Sequence, residues 1–156
     1  KISFDPNIRK ELFTDASIHE VIREVMEHTS IFLPGVEELL LITGKENVEE
    51  AVKTCFTYPR MEILVLKNGS KGSRIYQRSS VEEVGVYQVE QADATGAGDC
   101  FDGAFLAGLV QGKSVKEAAQ MGAAAGALNA AAFGPMEGNI SLGTIEEMIY
   151  SNTKQI

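Results

Sequence analysis

Asp93-Ala94-Thr95-Gly96-Ala97-Gly98-Asp99-Cys100-Phe101-Asp102-Gly103 is the stretch that decides how this chain reads. It sets a glycine-dense turn, Gly96-Ala97-Gly98, against an acidic residue, Asp99. Beyond the turn, Phe101, Ala104, Phe105, Gly108 and Leu109 recur at the spacing of one helical face. A helix start leaves backbone N–H groups unpaired and carries the positive end of the dipole. Glycines let such backbone approach a ligand with no Cβ in the way. The turn therefore suits an anion, phosphate above all. Asp99 has two readings. It caps the helix start, a common task for aspartate, or it takes a proton from a hydroxyl while N–H groups steady the group in transit. The second reading describes phosphoryl transfer to an alcohol.

Working outward, strands and helices alternate. Ile2-Ser3-Phe4 reads as a strand ending at Asp5, and Ser17-Ile18-His19-Glu20 as a capping box. Ile18, Val21, Ile22, Val25 and Met26 then share one helical face. Ile31-Phe32-Leu33 is a buried strand stopped by Pro34-Gly35; short helices follow around Glu37 to Ile42, closed by Gly44, and from Val48 to Phe56. Ile63-Leu64-Val65-Leu66 is a continuous apolar run, the mark of a strand buried on both faces. Lys67 to Gly72 turns into a strand at Ser73 to Tyr76, and Val84 to Val89 reads as an edge strand. Ser114-Val115-Lys116-Glu117 is a second capping box, opening an Ala/Gly-rich helix that ends at Gly134-Pro135; Thr144 to Glu147 opens the last helix. This alternation argues an α/β fold with a mainly parallel sheet.

Composition narrows the classes. The 156 residues suffice for one core, and 44% hydrophobic content fits a globular chain. A net charge of -8 argues against nucleic acid and against anionic membranes. No apolar run is long enough to span a bilayer. Cys55 and Cys100 lack metal-ligand or disulfide spacing, and His19 and His28 fall on the outer face of a helix. A cytoplasmic setting is the expectation. A dinucleotide-binding reading fails, because Phe101 stands where the third glycine of Gly-x-Gly-x-x-Gly belongs.

The run Asp93-x-Thr95-Gly96-Ala97-Gly98-Asp99-x-Phe101-x-x-Ala104 resembles the C-terminal signature of the ribokinase/PfkB carbohydrate kinases. Three further segments agree, in the family's order. Asp5-Pro6-Asn7-Ile8-Arg9 is similar to the Asp-x-Asn-x-Arg segment of the ketodeoxygluconate-kinase and fructokinase branches. Pro34-Gly35-Val36-Glu37-Glu38 sits where the family's Asn-x-x-Glu motif lies, with Gly35 in place of the Asn. Val65 to Ser73 resembles the strand and turn beside the nucleotide. The resemblance implies a ribokinase-like three-layer α/β/α fold of which residues 1–156 form the C-terminal, nucleotide-binding part of a single domain. Members are about twice as long, and the first residues read as a strand already inside a sheet, so an N-terminal half of the same protein is expected as partner.

The resemblance also implies ATP- and Mg2+-dependent transfer of the γ-phosphoryl to a sugar or sugar acid. Asp99 would be the general base, with N–H groups of Gly96, Ala97, Gly98 and Asp99 forming the anion hole. Lys67, Gly69 and Gly72 would lie beside the nucleotide, and Ala123 and Gly126 would wall the adenine. Glu38 would organise Mg2+ through water. Asp93 and Thr95, with carbonyls of Asn129 and Gly134, would hold K+. Arg9 would meet the acceptor, either 2-keto-3-deoxygluconate or fructose, or pair with Asp99 or Asp5. Relatives often dimerise, so a homodimer is expected. The alternative is a nucleotide-sensing relative that keeps the fold without turnover.

Overall fold

A computed structural model describes residues 1–8 and 16–153. The chain forms two compact units. The first comprises Lys1–Asn68 with Arg74–Glu82, the second Gly69–Ser73 with Glu83–Ile156.

In the first unit, β1 (Ser3–Phe4), β2 (Ile31–Phe32) and β3 (Ile63–Lys67) run parallel. Phe4 lies opposite Phe32, and Phe32 opposite Leu64. Parallel neighbours need long crossovers. Helix α1 (Ala16–His28) lies between β1 and β2, and α2 (Val36–Thr43) and α3 (Val48–Cys55) lie between β2 and β3. Strands β4 (Ser73–Tyr76) and β5 (Val81–Val84) complete a sheet of order β1-β2-β3-β4-β5. The edge strand thus sits at Val81–Val84 and not at Val84–Val89. A tight turn, with Gln77 N–H donating to Ser80 O at 2.9 Å, brings β5 back beside β4 early. Residues Ile63 to Leu66 are all buried, as their unbroken apolar run requires.

One core cluster of this unit joins Met26, Phe32, Leu39, Val52, Met61 and Leu64. Burying each large side chain contributes about 1.5–3 kcal/mol. Of the apolar residues expected on α1's inner face, Val21 is exposed and Met26 fully buried. His19 and His28 are exposed, as expected. Ser17 lies inside α1 and so is not its cap. Gly44 closes α2 in the left-handed conformation, φ 63°. Asn47 caps α3, its side chain accepting from Glu50 N–H at 2.9 Å. At the other end, the Arg78 guanidinium donates to the carbonyls of Phe56 and Tyr58 and lies 5.9 Å from the Phe56 ring centre.

The second unit contains α4 (Ala97–Val110), α5 (Val115–Ala130) and α6 (Leu142–Thr153). The expected Ser114–Glu117 capping box is present, the Glu117 carboxylate accepting from Ser114 N–H at 2.9 Å. Helix α6 starts before Thr144, because Ser141 and Thr144 cap it reciprocally. Small residues let α4 and α5 touch through backbone. A Cβ on Gly122 would sit 2.9 Å from the Phe101 carbonyl oxygen, and one on Gly126 would sit 3.1 Å from that of Ala97. No helix among the described residues is long and apolar enough to cross a membrane.

Candidate active site

In the second unit the glycine turn becomes the N-terminus of α4. Gly96 is the N-cap, in the left-handed region at φ 78°, and offers no side chain to the first-turn amides. The Ala97 N–H donates to Ala94 O at 3.1 Å. The N–H groups of Gly96, Gly98 and Asp99 have no acceptor among the described residues, whereas that of Ala97 is engaged. Asp99 is exposed at the third helical position, with its carboxylate open to solvent. Gly96 is needed twice over, for its φ and because a Cβ would lie 3.3 Å from Met136 N.

Immediately upstream, Asp93 organises the approach to this turn. Its Oδ1 accepts from the Thr95 hydroxyl at 2.7 Å and from the Thr95 N–H at 2.9 Å, while Oδ2 accepts from Gly134 N–H at 3.2 Å. The Thr95 hydroxyl, its amide and Gly134 together hold the Asp93 carboxyl below the usual carboxylate range. Asn129 Nδ2 donates to Thr95 O at 2.7 Å. Asn129 and Gly134 therefore meet this ring through a side-chain amide and an N–H, where carbonyls were expected. Asn129 is fully buried, and its Oδ1 has no partner among the described residues.

In the first unit, the carboxyl ends of the parallel strands carry a second polar group. Lys67 Nζ pairs with Asp5 Oδ2 at 3.1 Å. Both Glu38 oxygens are engaged: Oε2 accepts from Gly35 N–H and Oε1 from Ile8 N–H, each at 2.7 Å. Since glycine has no side chain, the Gly35–Glu38 contact is half of a capping box. Arg9 lies outside the described residues.

A model of the pfkB family carbohydrate kinases matches residues 1–141. The chain belongs to this family. Fructokinase-1 of Oryza sativa subsp. japonica is 33% identical over 137 residues, 83% of this chain and 42% of that protein. The 2-dehydro-3-deoxygluconokinase of Bacillus subtilis (strain 168) is 33% identical over 139 residues, 88% of this chain and 43% of that one. Among solved structures, an E. coli protein described as ribokinase II, in complex with ATP and Mg2+, matches with a TM-score of 0.92 at 37% identity. That likeness covers 96% of this chain and 48% of the other. The chain thus spans less than half the length of the relatives it matches. The ribokinase-like α/β fold implied by the sequence is borne out.

Within this pfkB family chain, Lys67 is held by Asp5 at the end of β3, a pairing that spacing alone did not reveal. Gly69 and Gly72 both have positive φ, at 52° and 85°, and Gly72 lies against the Val84 carbonyl. Ala123 and Gly126 are half-buried on α5, and Gly126 faces α4. Burial, with a smaller push from Asp99, raises the Cys100 thiol above its ordinary value. Among the described residues no three His, Cys, Asp or Glu side chains cluster to hold a metal ion. Mg2+ takes one or two carboxylates and completes its shell with water and phosphate oxygens. Each Glu38 oxygen keeps a second lone pair that suits a metal-held water. For a monovalent cation, the orphaned Asn129 Oδ1 beside Thr95 is an oxygen in want of a partner.

Proposed function

We propose that the intact protein is a kinase that moves the γ-phosphoryl of ATP to a hydroxyl of a small sugar or sugar acid. The uncapped start of α4, with Asp99 exposed beside open amides, carries this reading. The Asp99 carboxylate takes the proton of the acceptor hydroxyl. The acceptor oxygen forms a bond to the γ-phosphorus as the bond from that phosphorus to the bridging oxygen breaks, releasing ADP. The Gly98 and Asp99 amides steady the phosphoryl oxygens, while Gly96 and Ala97 supply the bend that aims them. Mg2+, when bound, neutralises phosphate charge, and Glu38 is the residue that would hold its water. Lys67, Gly69 and Gly72 serve the triphosphate side, and Ala123 and Gly126 the adenine. Asp93, Thr95, Asn129 and Gly134 form the surround for K+, with Asn129 Oδ1 as a donor.

The acceptor is a keto sugar or its acid, 2-keto-3-deoxygluconate ahead of fructose, and Arg9 suits a carboxylate through its planar fork. Likeness to both a fructokinase and a 2-dehydro-3-deoxygluconokinase supports this pair. We take both units as parts of one domain, completed by an N-terminal half, working in the cytoplasm and forming a homodimer. The test is ADP release by the intact protein with Mg2+ and K+ over a panel led by these two acceptors. Sugar-dependent release is the expected result. ATP binding with no release on any sugar would replace the kinase by a nucleotide sensor.

A further inference from the structure

We propose that Asn68-Gly69 is a site of spontaneous deamidation, which puts a carboxylate next to Lys67 and weakens ATP binding as the protein ages. The effect on ATP rests on the kinase reading; the covalent change does not. Among the asparagines of the chain, Asn68 alone is followed by glycine. The Gly69 nitrogen, losing its proton to water or hydroxide, attacks Asn68 Cγ, and the side-chain amide leaves as ammonia. Water then opens the resulting succinimide ring at either carbonyl. One opening gives aspartate; the other gives isoaspartate, whose main chain is one methylene longer. Water is consumed and ammonia released, with no oxidant or metal required.

The local structure leaves both reacting groups free. Asn68 is exposed between β3 and a short 3-10 turn, Gly69–Lys71. No hydrogen bond holds its side chain among the described residues. Gly69 begins that turn, so its N–H has no partner inside it. At φ 52°, Gly69 also has no heavy atom within 4 Å of where a Cβ would stand, which leaves room for the ring to close. The other asparagines lack this combination. Asn7, Asn47 and Asn139 precede the β-branched Ile8, Val48 and Ile140, whose bulk crowds the attacking nitrogen. Asn129 is fully buried, and Asn152 lies within α6, its Nδ2 donating to Met148 O at 2.9 Å. The consequence follows from the neighbour. Lys67 ends β3 as the cation on the triphosphate side. A carboxylate one residue on draws on that cation and repels phosphate.

The test incubates the intact, folded protein at mildly alkaline pH, with Asn68→Gln and Asn68→Asp alongside. Glutamine keeps the amide, but its extra methylene slows the same ring closure. Peptide mass mapping should show Asn68 gaining the mass difference between Asp and Asn, faster as pH rises, with the other asparagines intact. An isoaspartyl methyltransferase with S-adenosylmethionine should label aged wild type and not Asn68→Gln. Ageing should raise the ATP KM of wild type roughly three- to tenfold, the scale of one added charge near a protein surface, and leave that of Asn68→Gln unchanged. Asn68→Asp should show the raised KM without ageing. An Asn68 that persists, or that converts no faster than Asn139, overturns the proposal. So does full conversion with the ATP KM unmoved. A wild type that turns over no sugar sinks the kinase reading; the proposal then stands or falls on the mass map and on ATP affinity read by calorimetry.

Discussion

Gly35-Val36-Glu37-Glu38 opens α2 in one unit, and Gly96-Ala97-Gly98-Asp99 opens α4 in the other. Both place glycine at the cap and an acid at the third helical position. In α2 the cap is extended, φ -74° and ψ 166°, and the acid folds back onto the glycine N–H. In α4 the cap is left-handed, φ 78° and ψ -2°, and the acid stays exposed. Glutamate also has one more methylene with which to reach back. The same spelling therefore closes one helix start and leaves the other without a side-chain cap. Backbone conformation at the glycine decides which.

The largest break in this comparison should come from Asp99→Asn. Removing an exposed acid should leave the unfolding midpoint unchanged, while turnover by the intact protein falls about 10²–10⁴-fold, the usual range for a lost general base. A smaller loss in steady-state rate would make Asp99 a helix-end charge alone.

Next in size are the two glycines. Gly96→Ala should cost about 1–2 kcal/mol in denaturant unfolding, because a side chain is forced into the left-handed region. Gly35→Ala should stay within about 0.5 kcal/mol, since its φ is ordinary and only the mobile Glu38 carboxylate is near. Equal costs would mean that conformation at the cap does not separate the two helices.

Glu38→Ala should then cost about 1 kcal/mol, the scale of a lost cap. The mirrored change at Asp99 should cost nothing measurable.

The cysteines give the smallest effect. Burial pushes the Cys55 thiol from 9.0 up to about 12. The unfolded thiol ionises first, so this contribution to stability is complete below pH 9.0 and is lost as pH rises from there toward about 12. Urea midpoints should hold through neutral pH and decline above 9.0. Asp99→Asn should modestly speed alkylation of Cys100, whose thiol is raised in part by that charge, and leave Cys55 unaffected.

Much of the molecule is legible from local chemistry. The apolar run of β3, the left-handed stop at Gly44 and the Ser114 cap each follow from residues within a turn or two of one another. The start of α4 is legible for the same reason, since glycine density and helical spacing sit side by side. Legibility fails where partners are distant or context decides. The apolar run from Val84 to Val89 mimics a strand, yet pairing with β4 sets β5 earlier. Val21 fits the helical period and still faces solvent. Nothing in the spacing shows that Lys67 meets Asp5, or that Glu38 reaches Ile8. Asn129 is a lone polar residue in an alanine helix, and its side-chain hold on Thr95 follows only from how α5 lies against the turn.

The approach of Gly126 to the Ala97 carbonyl has a mechanical side. At that point the two helices meet through main chain, so little rotamer freedom is left there to absorb a displacement. A nudge to α5 there passes directly to the first turn of α4. Stiffness of that kind keeps the amides of that first turn in register. It also means that a single added methyl, far from any reacting atom, could detune the whole device.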